Sequence, residues 1–203
     1  MFAVFDNHFQ RAYSILDSLS VEYPDDPSID VFRIIARASE LHDMEDESGF
    51  ENLMTEIDSV EKICLNYWGK EPESHWVSFV MANLYGQKAI LSFIGENRNI
   101  LTAWKAFSRA AELWEYASQD SILAIESYNG LGNYYYWISA KSGIFRWAGL
   151  IKDRRDTAVA MLKNSAENAK LSIDSAIHSL IFVLLDSGDT AGAISMANKL
   201  IAR

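Results

Sequence analysis

Apolar residues recur every three or four positions along most of this chain. Phe5, Phe9, Ala12, Ile15, Leu16 and Leu19 form the first such stripe, over 5–20, and that spacing puts its members on one face of an α-helix. Tyr23-Pro24-Asp25-Asp26-Pro27 ends it, because proline lacks an amide donor and restricts the residue before it. Ser28 is the expected cap of a second helix reaching Asp43, with Val31, Phe32, Ile35, Ala38 and Leu41 on its apolar side. A third is expected over 49–67, carrying Phe50, Leu53, Ile57, Val60, Ile63 and Cys64, with Gly69 and Pro72 as its stop. The same periodicity predicts helices over 73–94, 98–117, 121–140, 153–169, 172–186 and 189–202. Gly95 and Asn97, then Gln119-Asp120-Ser121, mark junctions between them, and Gly188 is the natural left-handed residue after a helix. The pattern therefore predicts an all-α chain of about nine helices. Its two irregular stretches are an acidic loop at 42–48 and a connection at 141–152.

One stretch is more specific. Tyr128 is followed three residues later by Leu131-Gly132 and then by Tyr135. A large residue, a Leu-Gly pair and an aromatic at these offsets resemble the first helix of a tetratricopeptide (TPR) hairpin. The second helix of that hairpin carries a small residue, a large one four later and a small one three beyond. Ala103-Phe107-Ala110 and Ala158-Leu162-Ser165 follow this order, and Ala12-Leu16-Leu19 and Ala193-Ala197-Leu200 follow it in part. The chain thus resembles the TPR family over most of its length, entering halfway through a repeat. The helices at 28–43 and 172–186 lack the Leu-Gly pair. The resemblance implies a right-handed helical-hairpin solenoid, read here as a single domain over 1–203 with an apolar insert at 141–152. In such an array each hairpin buries its second apolar face against a neighbour.

Composition fits that reading. The hydrophobic fraction of 49% is ample for a core, and only three prolines and ten glycines interrupt the chain, too few for a sandwich or barrel. The net charge of -10 argues against sequence-independent nucleic-acid binding, which needs cationic side chains on phosphates. The charge is uneven: nine acidic and no basic residues lie between Glu40 and Glu61, whereas Lys141 to Lys170 holds seven basic and three acidic. A lone cysteine, Cys64, excludes an intrachain disulfide, and its apolar setting, Ile63-Cys64-Leu65, reads as a buried structural thiol. No run of eighteen apolar residues occurs, so no transmembrane segment is expected. The start Met1–Asp6 is too short and uncharged for a signal peptide, so the expected location is cytoplasmic, or periplasmic if a leader has been removed.

Catalytic patterns are absent from the sequence. His8, His42, His75 and His178 make no paired metal motif, and the glycines of Gly130-Leu131-Gly132 lie inside a helix rather than in a phosphate loop. The expectation is a non-enzymatic protein with no cofactor and no metal. The TPR register implies a concave groove lined by Glu126, Asn129, Asn133 and Tyr136 on one helix, by Asn83, Gln87 and Ile90 on another, and by Ser175, His178 and Phe182 on a third. Side-chain amides both donate to and accept from a peptide backbone, so the expected partner is a peptide or protein segment. The insert supplies a second candidate surface in Phe145, Arg146 and Trp147, since connectors are ordinarily polar. Two further readings stand beside groove binding: a self-associating, homo-oligomeric subunit, and a small-molecule or catalytic domain with an aromatic pocket near Tyr134, Tyr136, Trp137 and Trp147.

Overall fold

A computed structural model of the chain describes residues 8–94, 99–141 and 152–202. Among them are nine α-helices: α1 Phe9–Glu22, α2 Ser28–Asp43, α3 Phe50–Trp68, α4 His75–Ile94, α5 Ile100–Ala117, α6 Ser121–Lys141, α7 Arg155–Asn168, α8 Ile173–Asp186 and α9 Thr190–Ile201. One 3-10 turn, Glu47–Gly49, precedes α3. The helices form two compact units, with α1–α5 in the first, up to Ala117, and α6–α9 in the second, from Ser118 on.

In the first unit, α2 packs on α1, α3 and α4, and α4 packs on α3 and α5. Short turns make successive helices antiparallel, so α2 and α4 run in the same direction. The main core gathers Val31, Ile35, Leu53, Ile57, Cys64, Val80 and Leu84, and Phe9, Ala12, Leu16, Ile29 and Ala36 join α1 to α2. Leu53 and Ile57 are fully buried, each worth about 1.5–3 kcal/mol relative to exposure. Small residues bring α4 and α5 close: Ala82 and Ala89 on one, Ala103, Ala106, Ala110 and Ala117 on the other, all buried. A Cβ on Gly86 would stand 3.0 Å from the Trp114 ring. By length and composition alone, α4 is long and apolar enough to cross a bilayer. Ten of its residues are instead packed inside the unit.

In the second unit, α6 packs on α7 and α8, α8 on α7 and α9. The core consists of Tyr136, Ala158, Leu162, Ala166, Ala176, Ile177, Leu180, Val183, Leu184 and Ala193. Gly132 marks a close approach of α6 to α7, since a Cβ there would stand 2.7 Å from Leu162 Cγ and 3.1 Å from the Ala158 carbonyl oxygen.

Helix ends follow the punctuation of the sequence. Gly69 ends α3 at φ 80° and Gly188 follows α8 at φ 87°, both left-handed. The start of α2 differs from expectation. Ser28 is buried and makes no side-chain cap; Asp26 Oδ1 accepts from the Ser28 N–H instead, at 2.9 Å. Asp26 lies two residues upstream, at the ordinary offset of an Asx turn, and its carboxylate is the stronger acceptor.

Candidate functional site

Four of the proposed groove residues form one line on α6. Glu126, Asn129, Asn133 and Tyr136 are spaced by three, four and three, which keeps them on one helical face. That face meets α8. Glu126 Oε1 accepts from the Lys170 N–H at 2.6 Å, and Oε2 accepts from the Ser172 N–H and from Ser172 Oγ, both at 2.9 Å. Both oxygens also accept from the Leu171 N–H at 3.1 Å. The carboxylate is buried, and it caps a helix start, where backbone donors lack intrahelical partners and the dipole is positive. Asn129 Nδ2 donates to Ser175 Oγ, and Asn133 Nδ2 to Ser179 Oγ, each at 2.9 Å. Tyr136 Oη lies 3.0 Å from Asp186 Oδ2 and 3.2 Å from the Val183 carbonyl, either of which accepts its proton. Burial, and then the hydrogen bond to Asp186, push the Tyr136 phenol up to about 12.

The line is therefore a polar seam between α6 and α8. The groove expectation for Glu126 and Tyr136 is corrected on placement: both are buried, and their polar atoms are engaged by α8. Asn129 and Asn133 are half-buried, and their amide nitrogens bond to α8 serines. The helical period places all four on one face; it does not say whether that face meets solvent or another helix. Beside the seam, His178 is exposed on α8 and stands edge-on to Phe182, ring centroids 4.9 Å apart.

The first unit presents a different face. Trp76, Asn83 and Ile90 on α4 are seven residues apart and fall in line, with Gln87 beside them. Trp76 and Ile90 are 40% and 51% exposed, and Asn83 and Gln87 are half-buried between them. Gln87 makes no hydrogen bond within the described residues, and Asn83 makes one, from Nδ2 to its own helix at the Phe79 carbonyl, 2.7 Å. Trp76 also touches Phe32 of α2, ring centroids 6.2 Å apart, and Phe79, 5.9 Å. Asn83, Gln87 and Ile90 thus share one helical face. Trp76 was not among the residues singled out from the sequence, although its seven-residue offset from Asn83 was the available signal.

The cations of α2 and α4 are all engaged on α1 or α3. Arg33 pairs with Asp17 at 2.8 Å, Arg37 with Glu56, and Lys88 with Glu61 and Asp58 at 2.5 and 2.8 Å. Tyr85 Oη donates to Glu61 at 2.9 Å and Tyr13 Oη to Glu40 at 2.5 Å. Burial, and then these carboxylates, hold both phenols well above the ordinary tyrosine value. Cys64 is fully buried, and burial followed by Asp30 pushes its thiol up to about 12.

A cavity of about 450 Å³ lies in the second unit, lined by Tyr136, Asp153, Arg155, Asp156, Val159 and Ser187. Arg155 is engaged by Asp153 at 2.7 Å. Neither Tyr134 nor Trp137, both part of the expected aromatic pocket, lines it. Among the described residues, no group of three or more His, Cys, Asp or Glu is placed to hold a metal ion. The insert candidates Phe145, Arg146 and Trp147 lie outside the described residues, as does Trp147 of the pocket.

Compared with protein-family models, with curated proteins and with solved structures, the chain matches none.

Proposed function

We propose that this chain is a non-enzymatic, TPR-like scaffold that binds an extended peptide or protein segment along the α4 face of its first unit. The observation that carries this is the contrast between two sets of amides. On α6 they are engaged by a neighbouring helix; on α4, Gln87 has no partner within the described residues and Asn83 bonds only to its own helix. An amide left half-buried without a partner retains hydrogen-bonding capacity that a peptide backbone satisfies. Trp76 and Ile90 flank these amides and offer apolar anchors about 21 Å apart, at 1.5 Å of rise per residue. That span matches about six residues of extended chain. The repeat-like reading is supported by Gly86 and Gly132, each of which faces the following helix. It is supported too by α2 reaching α4 and α6 reaching α8, as alternate helices do when hairpins stack.

Selection from a random dodecapeptide display library tests this. The expected result is a pool whose binding drops at least about tenfold on Asn83→Ala with Gln87→Ala, the scale of one or two lost hydrogen bonds, and is unchanged by Asn129→Ala. No enrichment, or a pool indifferent to Asn83 and Gln87, overturns the proposal.

Self-association is the second reading, favoured by the charge partition. Up to Ala117 the chain holds twenty acidic and nine basic residues, and from Ser118 on, eight acidic and nine basic. Light scattering across a concentration series decides it: a constant monomer mass rules the subunit reading out.

A further inference from the structure

We infer that a second copy of this chain docks on the end of the α4–α5 hairpin, in a two-fold contact built on Phe93, Ile100, Leu101 and Trp104; this gives the self-association reading above its surface and rests on that reading. Helix α5 starts beside the end of α4. The Asn99 N–H donates to the Ser92 carbonyl at 2.9 Å, and Asn99 Oδ1 accepts from the Thr102 N–H at 3.0 Å, the bond of a helix cap. Phe93 follows Ser92 and Ile100 follows Asn99, so both stand at one level of the hairpin. Trp104 is four residues from Ile100 and three from Leu101, which puts these three on one face of α5. Ala103, Ala106 and Ala110 take the buried side of the helix, and the large side chains stay in solvent. Phe93 is 61% exposed, Ile100 71%, Leu101 63% and Trp104 50%.

Size and charge both favour a second copy. Together the four expose about 500 Å² of apolar surface, at roughly 200 Å² for each large side chain, within the range of the largest patch on a typical monomer. A standard interface takes about 800 Å² from each partner, about 56–65% of it apolar. This one patch therefore supplies the apolar share of a stable dimer. Two-fold pairing sets the patch against itself, so it needs no second, complementary surface. Up to Ala117 the chain holds twenty acidic and nine basic residues, whereas the stretch 89–108 holds one acidic and two basic. Two copies of so acidic a unit repel each other least when they meet through that stretch.

Sedimentation equilibrium of the full chain across a micromolar concentration range tests this. The expected species is a dimer, twice the chain's 22.9 kDa. Phe93→Ser with Trp104→Ser removes two anchors from each copy and should weaken pairing at least about a hundredfold. Ile122→Ser, at a side chain 72% exposed in the second unit, should leave it unchanged. Leu101→Arg repeats the test with a single exposed change, should the double variant fail to fold. None of the four residues carries the peptide-binding reading. A monomer at every concentration therefore overturns this inference and self-association together and leaves peptide binding standing. A dimer indifferent to the Phe93, Trp104 and Leu101 changes overturns the surface alone, and growth beyond a dimer overturns the two-fold contact. A monomer that binds phosphatidylcholine–phosphatidylglycerol vesicles, and loses them on Leu101→Arg, overturns the second copy and assigns the patch to lipid.

Discussion

Glu126 is a buried carboxylate whose partners are all donors of one helix start: the N–H groups of Lys170, Leu171 and Ser172, and the Ser172 hydroxyl. Its negative charge is balanced by that array and by the positive end of α8 rather than by a cation. Glu126→Gln removes the charge and turns an NH2 group toward donors, leaving buried groups unsatisfied. The expected cost is about 3 kcal/mol, as for breaking a buried charged network. Urea unfolding followed on the second unit checks it; a loss below about 1 kcal/mol, the worth of an ordinary neutral hydrogen bond, would contradict the capping role. Ser127, the next residue, shows the opposite case. Its hydroxyl is buried with no partner, and so is that of Ser78 on α4. Ser127→Ala removes an unsatisfied oxygen without leaving a void of any size. It is expected to leave stability unchanged or to raise it by up to about 1 kcal/mol, measured in the same unfolding assay.

At the scale of elements, Gly86 and Gly132 each face a neighbouring helix but differ in what they face. A Cβ at Gly132 would meet Leu162 Cγ at 2.7 Å and a backbone carbonyl at 3.1 Å, so two helices must part to admit it. Gly132→Ala should destabilise the second unit by about 1–3 kcal/mol, the range for overpacking. At Gly86 the contact is the edge of the Trp114 ring at 3.0 Å. A small ring shift relieves it, and alanine recovers about 1 kcal/mol of helix propensity. Gly86→Ala is therefore expected within about 0.5 kcal/mol of wild type on that balance. Thermal melts of the two variants separate these outcomes. The helices themselves were readable from sequence because core positions such as Leu53, Ile57 and Cys64 keep one period along α3. Close approach at Gly132 was readable for a related reason: only a residue without a Cβ suits it. The roles of polar faces were not readable. Asn83 and Asn129 are the same residue type, both followed four positions later by an amide residue, Gln87 and Asn133. Whether another helix of its own unit engages such a pair is decided by packing between distant segments, which no local pattern encodes. The capping of α8 by Glu126 spans more than forty residues and had no local signal at all.

Over the whole molecule, groups that favour their protonated state are distributed through both units. Burial, then a nearby carboxylate, raises Cys64, Tyr13 and Tyr85 in the first unit and Tyr136 in the second, with Cys64 and Tyr136 reaching about 12. Burial works against the Lys88 ammonium, but Asp58 and Glu61 outweigh it, for a net rise. All five hold their protons more tightly folded than unfolded. Below the unfolded values the stabilisation is complete; once pH passes them, the native state binds more protons than the unfolded one, and stability falls. The first to act is Cys64, whose ordinary value is 9.0, followed by the tyrosines from 10.0 and Lys88 from 10.5. Stability is expected to fall steadily from about pH 9 to 12, over the interval between those ordinary values and the folded ones. Tyr136→Phe keeps the ring and removes the proton, so the second unit's share of the slope between about pH 10 and 12 should flatten, at the cost of the bond to Asp186. Urea titrations at a series of alkaline pH values measure both. A wild-type stability that stays level to pH 11 would mean that these phenols and the thiol are no harder to ionise in the folded chain than in the unfolded one.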